Sequence, residues 1–272
     1  MVTVIKANGE REEFNEQKVM NSIRRARIPN SLHNEVLQHI KSKLYDGIST
    51  AEIYQQILDF LDQSSHSIMR SRYSLKEAIM MLGPTGYPFE DFVSRILEAH
   101  GYTTQVRQIL RGKCVTHEVD VIAKKDGKSS MIEVKFHNNS GARSEIQVAL
   151  YTHSRFEDVQ TNYDFTDVWL VTNTKTTIDA NVYAQCTGMK VISWSYPEDG
   201  GSLRDLIEKS RLHPVTMVHS LSQSHKTTLL QNHVVLCKDI QRDKSVLDML
   251  PLTRDERERV IAEVESICSE EI

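Results

Sequence analysis

The 272 residues carry 33 Lys and Arg against 37 Asp and Glu, a net charge of −4, with 39% hydrophobic and 26% charged residues. That mixture is globular rather than disordered, and the length implies two or three domains. No third of the chain is strongly basic, which excludes avid binding to a phosphate backbone by charge alone. The start, MVTVIKANGE, has neither a signal peptide's apolar run nor a transit peptide's character, and no apolar stretch approaches membrane-spanning length. A cytoplasmic protein with no membrane partner is expected. Cys114, Cys186, Cys237 and Cys268 are widely spaced with no C-x-x-C pair, so neither a zinc site nor a disulfide framework is expected.

In chain order, Val2 to Ile5 alternates weakly, Asn8-Gly9 is the strongest two-residue hairpin turn, and Arg11 to Phe14 reads as the returning strand. Asn15 can cap a helix with Val19, Ile23 and Ala26 inward. A second helix spans roughly Leu32 to Leu44, carrying Val36, Leu37 and Ile40. The Ser49-x-x-Glu52 capping box opens a third with Ile53, Ile57 and Leu61. A fourth runs from about Ser67 to Met81, and Gly83, Pro84 and Gly86 mark a boundary.

Tyr87 to His100 is helical by Phe89, Val93, Ile96 and Leu97, and Thr103 to Leu110 is a strand. The stretch VTHEVDVIAKKDGKSSMIEVKF, residues 115–136, then folds about Asp126-Gly127 as a type I′ hairpin. With Lys125 facing Lys128, Asp120 lies opposite Glu133 and Glu118 opposite Lys135, all on one face. Val119, Val121, Ile132, Val134 and Phe136 fill the other. Two carboxylates opposed across a sheet repel, and a hard divalent cation relieves that repulsion best. An ordinary solvated hairpin face has the same pattern. A helix near Arg143 to Val159 puts Gln147 and Tyr151 on one face. The strand Val168 to Thr172, a helix around Ala180 to Cys186 and the strand Lys190 to Trp194 complete an αβββαβ-like core.

Beyond residue 199 the chain reads as polar helices, Val215 to Leu221, Lys226 to Leu230, Val234 to Leu236 and Thr253 to Ile267, with Ser220, Ser222 and Thr253 as caps. It resembles a degenerate helix-hairpin-helix array in which Gln231-Asn232-His233 replaces the Gly-x-Gly turn. A dimerisation or docking role is expected there.

The residues from Gly86 to about Trp194, with G-Y-P-F-E-D-F-V, H-E-V-D-V-I-A, I-E-V-K-F and V-T-N-T-K-T-T, resemble the PD-(D/E)XK nucleases, and among them the Mrr-type restriction endonucleases. The first motif keeps its Asp without the Pro. The resemblance implies a catalytic set of Asp120, Glu133 and Lys135, with Asp120 and Glu133 holding Mg²⁺ (or Mn²⁺) on double-stranded DNA. Glu90 and Gln147 join that set by the same likeness. From the residues alone, Glu90 is equally a first-turn acid facing the helix dipole, and Gln147 an ordinary surface residue. Lys113, His137, Arg143, Arg155 and Lys175 flank the edge as unranked phosphate contacts.

The first segment, V-x-K-x-x-G and E-x-F-N-x-x-K followed by Tyr45-Asp46-Gly47-Ile48, Thr50 and Tyr54, resembles an ATP-cone, a nucleotide-sensing domain. The likeness implies that Lys6, Glu12, Asn15, Lys18, Thr50 and Tyr54 meet ATP or dATP, an effector that shifts the state of a homo-oligomer. No G-x-x-x-x-G-K-[ST] loop is present to use it as fuel. The fold expected is α+β or α/β and multidomain: a cone of hairpin plus four helices over 1–84, a restriction-endonuclease-like core over 85–198, and a helical region over 199–272. The function expected is a metal-dependent endonuclease of restriction or repair type. A nucleotide-responsive DNA-binding or scaffold protein with an inactive nuclease fold is the alternative. A transcriptional regulator is a weaker one, for want of a recognition helix or a Cys₄ ribbon.

Overall fold

The computed structural model describes residues 2–7, 9–26, 28–63, 69–70 and 73–269. The chain divides into two compact units, Met1–Glu77 and Ala78–Ile272. The middle and C-terminal segments therefore pack as one body.

In the first unit, β1 (Thr3–Ile5) and β2 (Arg11–Glu13) pair antiparallel, Val4 facing Glu12. Gly9, at φ +83°, takes the left-handed conformation the turn requires. Asn8, the other half of that turn, lies outside the described residues, as does the start of the fourth helix at Ser67. Asn15 Oδ1 caps α1 (Glu16–Arg25), accepting from the Gln17 and Lys18 amides at 2.8 and 3.3 Å. Helix α2 (Asn30–Lys43) follows. The Tyr45–Ile48 segment adds a strand that the sequence pattern did not reveal: β3 (Ile48–Ser49) lies parallel to β1, held by Asp46 Oδ1 on the Thr3 amide at 2.8 Å. The capping box forms as expected at the head of α3 (Thr50–Gln63), with Glu52 Oε2 accepting from the Ser49 amide at 3.0 Å and the Glu52 amide donating to Ser49 Oγ at 3.1 Å. The apolar faces close on Val4, Ile23, Val36, Ile40, Ile57 and Leu61. Within the expected span of the fourth helix lies α4 (Leu75–Met80).

The second unit is built on a five-stranded mixed sheet. Its strands are β4 (Thr103–Arg111), β5 (Thr116–Lys125), β6 (Lys128–Lys135), β8 (Asp167–Thr172) and β10 (Lys190–Ile192), in the order β10-β8-β6-β5-β4. The first three run antiparallel to one another, and β8 and β10 run parallel to β6. The turn is type I′, with Asp126 at φ +50° and Gly127 at +74°, and Lys125 faces Lys128. Val121, Ile132 and Val134 are buried beneath α5 (Tyr87–Ala99), and Phe136 packs on Phe89 with ring centroids 5.4 Å apart, whereas Val119, expected with them, is buried in the core on the opposite face.

The opposite face is covered too. Ile122 and Met131 join Val159 of α6 (Ile146–Val159) and Ala184 of α7 (Ile178–Thr187) in a second core. The expected helix start at Arg143 is corrected, because Arg143–Ser144 form β7, paired parallel with β9 (Lys175–Thr176). That pairing makes two of the unranked cations, Arg143 and Lys175, register partners on the exposed surface.

Helix α8 (Leu203–Ser210), with a capping box between Ser202 and Asp205, was not read from the pattern. Residues 215–217 are a single 3-10 turn, and α9 (Gln223–Gln231) is capped by Ser222 as expected. Between α9 and α10 (Cys237–Arg242) His233 adopts φ +60°. Thr253 caps α11 (Arg254–Cys268). Ser220 caps nothing; its amide and that of His219 are held by Glu263 at 2.9 and 2.7 Å.

Candidate active site

Asp120 sits where the ladder fails on both sides of β5. Toward β4, Val106 pairs with Val121 and Gln108 with Val119, while Arg107 between them, at φ +52°, is skipped. Toward β6 the register stops at Val121 with Ile132. The expected rung of Asp120 against Glu133, with Glu118 against Lys135, does not form. The Val134 amide donates instead to Asp120 Oδ2 at 2.7 Å, and the Arg155 guanidinium enters the gap. One of its nitrogens donates to Glu133 Oε2, another to the Glu118 carbonyl. The buried Arg155 cation offsets part of the repulsion that the sequence reading left to a metal, although the charge of Asp120 still acts on Glu133.

Arg155 is one of the five flanking residues that sequence reasoning left unranked. It lies one helical repeat beyond Tyr151, whose ring it overlies at 5.1 Å, so Gln147, Tyr151 and Arg155 share one face of α6. Extending the Gln147–Tyr151 pair by four residues was the available signal. Gln147 itself is exposed, and among the described residues it bonds to neither carboxylate. Lys135, exposed on the same face as Glu133, is close enough for its charge to pull both Asp120 and Glu133 toward ionisation.

Glu90 reaches the cluster from the first turn of α5. It is 7% exposed, and burial first, then the charge of Asp120, push its carboxyl up to about 7 despite an ion pair with Arg107 at 3.2 Å. Burial likewise raises Asp120 and Glu133 above the usual carboxylate range, Glu133 also through Asp120's charge. Three acids thus feel one another's field at a single spot. Among the described residues no set of three or more His, Cys, Asp or Glu side chains is arranged to enclose a metal ion. The donor chemistry still fits a hard cation that takes one or two protein carboxylates. With Oδ2 of Asp120 and Oε2 of Glu133 engaged, Oδ1 and Oε1 are left for it.

Beside the carboxylates opens a cleft of about 650 Å³, bordered by Tyr87, Asp91, Arg107 and Glu118 on one side and by α9 and His233 on the other. Asp91 binds Arg107 at 2.7 Å and His233 at 2.8 Å, pinning the C-terminal helices to the nuclease-like core.

In the first unit, Glu12, Asn15, Lys18, Thr50 and Tyr54 line one cleft of about 240 Å³. Lys6 reaches it through Glu12, at 3.0 Å, and Glu12 also holds Lys18 at 2.7 Å. The two ammonium groups keep the Glu12 carboxyl below its usual range. Asn15, expected at the ligand, spends its oxygen on the helix cap. Tyr54 stacks on Tyr73, ring centroids 5.1 Å apart.

Family models agree with this division. An ATP cone domain matches residues 2–78, a restriction endonuclease domain of the Mrr catalytic type matches 83–198, and the C-terminal AF1548-like model matches 213–268. An uncharacterized protein of Archaeoglobus fulgidus is 36% identical over 176 residues, covering 64% of this chain and 99% of that protein. The crystal structure of AF1548, a protein of unknown function, superposes with a TM-score of 0.59 at 35% identity, over 67% of this chain and 98% of that one. The chain belongs to the AF1548-like family, as a member that joins an ATP cone to a PD-(D/E)XK domain of the Mrr restriction-endonuclease type.

Proposed function

We propose that this protein is a metal-dependent deoxyribonuclease whose N-terminal cone responds to an adenine nucleotide. The observation that carries the reading is the gathering of Glu90, Asp120, Glu133 and Lys135 at the one point where β5 leaves both its neighbours. Asp120 and Glu133 are the groups to hold Mg²⁺ or Mn²⁺, with Glu90 as a neighbouring acid. Bound there, the cation supplies charge to the scissile phosphate and acidity to a water. Lys135 orients that water and offsets the charge of the pentacovalent state. Arg155 keeps Glu133 in place, and the Val134 amide fixes the Asp120 rotamer. Substrate is double-stranded DNA, with neutralisation supplied locally, for instance by Arg143 and Lys175 side by side.

In the cone, Glu12 occupies the space between Lys6 and Lys18. A triphosphate entering a cleft of about 240 Å³ must displace that carboxylate, because sites for ligands of this size run to roughly 300–1,000 Å³. Effector binding thereby moves β2 and the start of α1, a route to a change in oligomeric state.

One observation favours the alternative of a silent nuclease fold that binds DNA without cutting: Arg155 is bonded to Glu133, an acid the reaction needs. Incubating the full chain with supercoiled plasmid and with branched duplexes, with and without Mg²⁺ and ATP, separates the two. Metal-dependent nicking or linearisation supports the enzyme; mobility shifts with no strand scission under any metal support the silent fold.

A further inference from the structure

The cleft beside the carboxylates is shaped for more than a sugar-phosphate backbone. One wall is Pro84, Tyr87 and Pro88, with the Tyr87 ring 56% exposed; the facing wall is Gln223, Thr227 and Gln231 of α9. Its charged groups are Asp91 and Glu118 against Arg107, whose guanidinium is already taken by Asp91 at 2.7 Å and Glu90 at 3.2 Å. A phosphate meets net repulsion there. A neutral heteroaromatic ring meets the half-exposed Tyr87, whose ring carries the Arg107 guanidinium 5.7 Å from its centroid on one face only, and carboxamides that both donate and accept along its edge. The volume, about 650 Å³, suits a single nucleotide and lies within the usual ~300–1,000 Å³ of small-ligand sites. Glu118, which lines the cleft, lies two residues before Asp120 on β5, so the cleft opens next to the cutting edge.

We infer that this cleft takes up one unpaired nucleobase of the DNA strand being cut, so that the preferred substrate carries an extruded or unpaired nucleotide. This rests on the nuclease reading for the source of the base. It is tested by binding in EDTA, where cleavage plays no part. Fluorescence anisotropy of the full chain is recorded with three labelled duplexes: one with a single bulged adenosine, one with an abasic residue at that bulge, and one fully paired. The bulged base should bind about tenfold tighter than the abasic bulge, the worth of one stacked base. Tyr87→Ala should bring the two together; Gln231→Ala, on the other wall, should narrow the gap. Free adenosine at micromolar concentration should not displace the bulged duplex; if it does, the cleft serves a loose nucleoside and the inference fails. Equal binding of base and abasic bulges overturns the inference while metal-dependent cleavage of paired DNA would leave the nuclease reading standing. Binding to none of the duplexes overturns the inference, and cleavage in Mg²⁺ then decides the nuclease reading separately.

Discussion

Replacing Arg155 by Met keeps much of the aliphatic volume and removes the guanidinium that bonds Glu133 and the Glu118 carbonyl. Arg155 is 8% exposed, so water cannot fully take its place. Truncating one partner of a buried ion pair costs about 3–5 kcal/mol. For the unit Ala78–Ile272, at ~2–4 °C per kcal/mol in domains of this size, the melting temperature should fall by roughly 6–20 °C. The loss should also depend on pH. Burial and Asp120 raise the Glu133 carboxyl, and Arg155 opposes them; without Arg155 the folded-state value climbs further above the ordinary 4.5. A carboxyl raised in the folded state stabilises while protonated, and that contribution disappears as pH rises through the folded value. The deficit of Arg155→Met should therefore be smaller near pH 5 than at pH 8, and adding Glu133→Gln should recover at least half of it at pH 8. Calorimetry of the single and double variants at both pH values measures this. Equal deficits at the two pH values, together with strictly additive effects, would refute a charge pair between Arg155 and Glu133.

Glu90→Gln should raise stability at pH 8 by about 1–3 kcal/mol and by almost nothing near pH 4.5, since its carboxyl is raised to about 7 and Arg107 retains Asp91; urea titrations at the two pH values read the difference. Lys18→Ala should weaken ATP binding about 10–100-fold, the loss of one charge-assisted hydrogen bond of ~1.5–3 kcal/mol, as calorimetric titration would show; an unchanged affinity would remove Lys18 from the nucleotide site. Asn15→Ala should cost about 1 kcal/mol through the lost cap of α1, and in thermal melts the damage should be confined to the first unit.

The hairpin shows how far local chemistry carries and where it stops. Asp126-Gly127 dictates the turn, the turn dictates the register near it, and alternation then puts Val121 and Ile132 inward and Asp120 and Glu133 on the other face. What alternation could not supply was the break in the ladder past Val121. That break depends on Arg155 arriving from a helix more than thirty residues later and on Arg107 adopting a left-handed backbone, both tertiary effects. Caps at Asn15, Ser49, Ser222 and Thr253 were legible because a short polar side chain precedes an apolar repeat, whereas Thr177 and Ser202, which cap α7 and α8, went unread. Ser220 was misleading because the helix that follows begins only at Gln223, where Ser222 supplies the capping oxygen. The two-residue strands β3, β7 and β9 have no period to read and exist only through their partners. Likewise the five pocket-lining cone residues are recognisable from their motif, whereas Glu12's bridging of Lys6 and Lys18 is visible only once the hairpin and α1 meet.

The most direct measurement of the central claim is single-turnover cleavage of an end-labelled duplex in Mg²⁺ by the parent protein and by Asp120→Ala, Glu133→Ala and Lys135→Ala, each checked for an unchanged circular dichroism spectrum. Scission by the parent, lost in all three variants and abolished by EDTA, is the predicted result. Cleavage by Asp120→Ala at the parent rate would contradict the account.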